Sequence, residues 1–132
     1  MISEPATNYR HQSTFLGRLK NTPIAVGHRT LNKSVGNNKV EALLSGKWTV
    51  LADFPFADKI WDYSMVNFNG ALYLFGGFGG TDLSNKLVVK SEAVVMDDTM
   101  WRKVGNFLPP RKSHRSIVIN NSIMHIGGFG TQ

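Results

Sequence analysis

The chain matches itself without a gap when it is slid by 51 positions, and this period constrains the fold more than any other feature. A repeat of that length is one supersecondary unit, which buries its faces only when further units stack against it. Asn69, Gly76, Gly77, Phe78 and Gly79 fall on Asn120, Gly127, Gly128, Phe129 and Gly130, all identical. Between them Val66, Phe68, Leu72 and Phe75 face Ile117, Ile119, Ile123 and Ile126. A weaker copy lies upstream. Trp48, Leu51 and Phe54 share their spacing with Trp101, Val104 and Phe107, each set is followed by a proline (Pro55 or Pro109), and Glu41-Ala42 and Glu92-Ala93 precede the tryptophans. Further upstream, residues 24–27 take the place of residues 73–76, with His28 where the second glycine should stand.

The hydrophobic pattern divides each copy into short strands. Residues 63–68 and 71–75 are apolar and aromatic, and Asn69-Gly70 between them tolerates positive φ at both positions of a two-residue hairpin turn. Residues 116–119 and 123–126 form the corresponding pair, with Asn121 and Ser122 as a less committed turn. A third strand is predicted over 92–96 and over 40–44, and a fourth begins at each of Trp48 and Trp101. No stretch of ten or more residues has helical periodicity, so the expected class is all-β with about four strands per repeat.

These residues resemble the kelch repeat. A hairpin strand ending in Gly-Gly, a Glu-containing third strand and a Trp leading to Pro-Arg match it in Gly76-Gly77, Glu92, Trp101, Pro110-Arg111, His114 and Gly127-Gly128. The resemblance spans residues 15–130 and is closest in the second copy. It implies a partial kelch-type β-propeller of four-stranded antiparallel blades, with each first strand nearest the axis. On that division residues 1–14 are an N-terminal extension, 15–57 a degenerate first blade, 58–110 a second blade and 111–132 a truncated third. About two and a half blades do not close a ring, so an incomplete propeller is expected, either a piece of a longer product or one that closes by oligomerising. A WD-repeat propeller is the rival, but its period is shorter and the single Trp61-Asp62 falls inside a first strand.

Composition narrows the chemistry. With no cysteine the chain has no disulfide, zinc-thiolate site, thiol nucleophile or iron–sulfur cluster. The galactose-oxidase-like copper radical oxidases, an enzyme class with kelch-like blades, need a cysteine cross-linked to tyrosine. The four histidines, His11, His28, His114 and His125, are too widely spaced for a local metal pair, so no metal or cofactor is expected. His114 falls at the kelch Arg-x-x-His position, where the resemblance implies a hydrogen bond near the inner strand. His125 alternates with apolar neighbours and is expected at a blade interface. The glycine run 76–80 lacks the third glycine, the Gly-Lys-Ser/Thr and the helix start of a phosphate cradle. With no Gly-x-Ser-x-Gly elbow and no carboxylate pair either, no enzyme is expected. Nothing near Met1 resembles a signal peptide and no apolar run could cross a bilayer, which reads as a soluble, cytoplasmic protein without a membrane partner.

Net charge is +6, and its distribution matters more than its total. The first forty residues carry six basic groups against Glu4, residues 41–100 carry four against eight acids, and the last 32 carry five and no acid. The basic groups are not packed along one element or interleaved with aromatics, so solvated surface is expected ahead of nucleic-acid contact. In an up-down-up-down blade, the loop leaving the second strand and the loop leading into the next blade share one end. That end collects Phe78, Phe129, Asp58, Lys59, Arg111, Lys112 and Arg115. Aromatic and arginine side chains are the types enriched at binding hot spots, so Lys59, Phe78, Arg111, Lys112, Arg115 and Phe129 are the candidate contacts for a protein partner, an acidic one. The alternative for the two phenylalanines is that they fold back over the blade ends. By the family resemblance, such a module serves as a substrate-recognition arm of a cullin ubiquitin ligase or as an actin-associated scaffold, although no BTB domain lies in these 132 residues. The alternative classes are a propeller enzyme, copper oxidase or sialidase-like, and nucleic-acid binding through the basic ends.

Overall fold

A computed structural model describes residues 6–9, 16–29, 36–55, 60–80, 87–98, 100–106 and 109–130. The described residues form strands without a helix. The first blade is β1 (Leu16–Leu19), β2 (Thr22–Arg29), β3 (Gly36–Leu44) and β4 (Lys47–Val50), hydrogen-bonded antiparallel in that order. After a short β5 (Ile60–Trp61), the second blade begins with β6 (Ser64–Phe68) and β7 (Ala71–Phe75). It breaks off for β8 (Phe78–Gly80) and β9 (Leu87–Val89), then resumes with β10 (Glu92–Asp97) and β11 (Met100–Asn106), giving the sheet order β6-β7-β10-β11. The hairpin β12 (Arg115–Ile119) and β13 (Ser122–Ile126) follows.

The repeat is visible in register as well as in sequence. Met65 pairs with Leu74 and Ser116 with His125; Phe68 pairs with Ala71 and Ile119 with Ser122. Asn69 (φ 50°) and Gly70 (φ 77°) both adopt the left-handed conformation that matches strand twist in a two-residue turn. The third hairpin turns one residue earlier than the expected Asn121-Ser122, at the place the 51-residue period gives. Asn120 (φ 49°) and Asn121 (φ 59°) make its turn and Ser122 is already in β13, because asparagine accepts positive φ more readily than serine. Two further corrections concern the second blade. Phe78, Gly79 and Gly80 form a strand in a small antiparallel sheet, β5-β8-β9, instead of a free loop. Trp61-Asp62 does not lie inside the first strand, since Asp62 (φ 55°) breaks the chain between β5 and β6.

The core lies between the first two blades. Ile24, Val26 and Val40 of the first blade meet Tyr63, Leu72 and Leu74 of the second, all buried, with Val94 and Met96 beside them. Along β7 the alternation of strand side chains sends Leu72 and Leu74 to this face and Tyr73 to the other, toward the third hairpin. The buried Tyr63 hydroxyl donates to the Val26 carbonyl across the seam. The blades approach each other closely at Gly17, where a Cβ would collide with the Met65 sulfur. At the far seam the Phe75 and His125 rings meet edge to face at 4.4 Å, which puts His125 at the interface its alternation predicts.

Candidate functional site

The turns within strand pairs, Lys20-Asn21, Ser45-Gly46, Asn69-Gly70 and Asn120-Asn121, all lie at one end of the blades. The opposite end carries the segments that leave a second strand or lead into the next blade. There Gly76 (φ 62°) and Gly77 (φ 96°) turn the chain out of β7, and Gly127 (φ 70°) and Gly128 (φ 92°) repeat the conformation after β13. A side chain at Gly128 would have two obstacles besides its φ: its Cβ would stand 2.6 Å from the Lys112 carbonyl oxygen and 2.8 Å from the His114 Cβ. Glycine is therefore required by the segment that leads into its own hairpin.

The Gly-Gly pair of the second blade instead holds the next unit. The Gly77 N–H donates to the Arg111 carbonyl (2.9 Å), the Arg111 N–H to the Lys90 carbonyl (3.2 Å) and the Lys90 N–H to the Gly77 carbonyl (2.8 Å). With its backbone fixed, Arg111 leans its guanidinium on the carbonyls of Gly127 (3.4 Å) and Pro109 (3.5 Å). Lys112 exchanges two backbone hydrogen bonds of 2.9 Å with Phe129. Its ammonium lies 4.4 Å from the centroid of the half-buried Phe78 ring, within range of a cation–π contact. Phe129 is 67% exposed. Four of the six residues singled out by topology, Phe78, Arg111, Lys112 and Phe129, thus converge. Arg115 is exposed at the start of β12 and donates to the His114 carbonyl at 3.2 Å. Lys59 lies outside the described residues. The two phenylalanines differ: Phe78 is clamped in β8 beneath Lys112, whereas Phe129 is offered to solvent.

Beneath this surface lies a histidine pair that the spacing did not bring together. His114 has no exposed surface, and its ring stands 5.6 Å from that of His125, which in turn shares a 2.7 Å hydrogen bond between Nδ1 and Ser116 Oγ. Burial, then His125, Arg111 and Arg115, push His114 down to about 4; burial and Arg111 also lower His125. Burial is the larger cause in both, and the arginines add a positive local field. Among the described residues no cluster of three or more metal-ligating side chains occurs, and no helix is long and apolar enough to cross a membrane.

No family model matches the chain. It is 32% identical over 82 residues to Kelch-like protein 30 of Homo sapiens, an alignment that covers 62% of this chain and 14% of that protein. The solved structure of YjhT, a kelch-type propeller, superposes with a TM-score of 0.75 at 19% identity, over 94% of this chain and 36% of that one. The chain therefore spans a minor part of the length of either. Its 51-residue repeat, its four-stranded antiparallel blades and these two likenesses show the fold of a partial kelch-type β-propeller.

Proposed function

We propose that the chain is a non-enzymatic protein-interaction module whose Gly-Gly end binds an acidic segment of a partner protein. The observation that carries this reading is the convergence of Arg111, Lys112 and the exposed Phe129 on a backbone frame built by two neighbouring units. An exposed aromatic ring beside preorganised cations suits a partner that presents carboxylates around an apolar residue, because such contacts give steering as well as contact area. The family resemblance offers two assemblies for such a module, a cullin ubiquitin ligase that recruits a substrate and an actin-associated scaffold.

The experiment pairs binding with melting. Partners captured by the wild-type protein are identified, and Arg115→Ala and Phe129→Ala are compared with it. The expected outcome is partner affinity reduced by about tenfold, with stability changed by less than about 0.5 kcal/mol, as for exposed positions. Loss of melting temperature without loss of binding would make this end a scaffold surface.

A further inference from the structure

The opposite end of the blades carries a concavity. An open cleft of about 240 Å³ lies where the first blade faces the second, lined by Leu19, Thr22, Ile24, Ala42, Leu44 and Leu51. Lys20 and Asp98 also line it and form a 3.2 Å ion pair across the seam, their side chains 71% and 83% exposed.

The repeat explains why the cleft exists. Leu19 pairs with Thr22 as Phe68 pairs with Ala71, and Ile24 pairs with Ala42 as Tyr73 pairs with Val95. At each of three lining positions the second blade therefore has the larger residue: Phe for Leu, Tyr for Ile, Val for Ala. Its two rings pack edge to face with centroids 6.0 Å apart, toward the third hairpin. In the first blade these positions pair in the same way and the rings are missing, so the cleft has room for an aromatic ring. For scale, a dry apolar cavity of about 150 Å³ accommodates benzene.

We propose that this cleft binds a tyrosine side chain of a partner protein. The ring would occupy the apolar floor formed by Leu19, Ile24, Ala42 and Leu51. Its phenol matches the rim: the exposed Asp98 carboxylate accepts from the hydroxyl and Lys20 donates to it, an exchange that costs little because a solvent-exposed ion pair contributes little on its own. This site is separate from the Gly-Gly end and does not depend on the reading given to it.

The probe is N-acetyl-tyrosinamide, titrated into the full chain at millimolar concentration with the methyl resonances of Leu19, Ile24 and Leu51 observed by NMR. Those signals should shift together and saturate, and N-acetyl-alaninamide should leave them unmoved. Leu19→Phe restores the ring the second blade has. It should keep or raise the melting temperature and weaken the probe at least tenfold. Asp98→Asn, on the exposed rim, should weaken it severalfold without changing the fold. Absence of saturable shifts in the wild type, undiminished binding in Leu19→Phe, or destabilisation by Leu19→Phe would each overturn the proposal.

Discussion

His114 is held neutral because its ring has no exposed surface and because His125, Arg111 and Arg115 oppose a further positive charge there. In the unfolded chain it titrates near 6.5, so between that pH and about 4 the unfolded state binds a proton that the folded state refuses. Stability is then complete above 6.5, falls as the pH is lowered toward 4, and levels off below it as far as this group is concerned. His125, lowered in the same direction, adds to the same slope. Melting temperatures of the wild type and of His125→Gln across this range should both fall with pH, the variant less steeply; a flat wild-type profile would show that neither ring is shielded. Arg111, which lowers both histidines, and the exposed Arg115, which lowers His114, are also candidate contacts, so binding of an acidic partner should itself raise the proton affinity of the pair.

At the scale of strands, the tryptophans test the packing. Trp101 is half-buried, its ring meets Phe54 of the preceding connection edge to face at 5.1 Å, and its indole N–H is buried with no hydrogen-bond partner among the described residues. Trp101→Ala should cost about 3 kcal/mol, the low end for a large aromatic because the ring is only half-buried. Trp101→Phe should cost much less, since the N–H contributes no bond; chemical denaturation of both variants measures the difference. The hairpins and outer strands were legible because Asn-Gly, Gly-Gly and Trp are local signals. Register between strands was not. Glu41 and Glu92 align at the 51-residue period, yet Glu41 pairs with Ala25 while the Glu92 carbonyl accepts from Gly76, a position two residues further along the second strand. Pairing across strands depends on turn length and bulges, and the β10–β11 ladder shifts at Ala93/Val94. Where β10 places Val94, β3 places the buried Glu41, whose carboxylate accepts the N–H groups of Asn8 (2.7 Å) and Tyr9 (3.0 Å). No periodicity could announce that tie between the N-terminal residues and the first blade. At the site, shared topology identified which loops meet, but not that Phe78 would join a strand or that two histidines would pack together.

Across the whole molecule, burial falls from the seam between the first two blades toward the third hairpin. Ile117, Val118, Met124 and Ile126 are between 41% and 51% exposed, and among the described residues β13 pairs with β12 alone. An uncovered apolar edge strand is a template for pairing. Sedimentation of this 132-residue chain should therefore show association that grows with concentration, and Met124→Lys should suppress it; a strictly monomeric sample at high concentration would refute this. One feature of the seam reaches beyond stability. The links among Gly77, Arg111 and Lys90 run wholly through main-chain atoms. A joint of that kind is blind to side-chain identity, so a duplicated unit could dock onto its parent at once and its residues could then drift separately. The ancestry of such a protein can be a history of copying, with glycines preserved at the joints while each copy acquired its own surface.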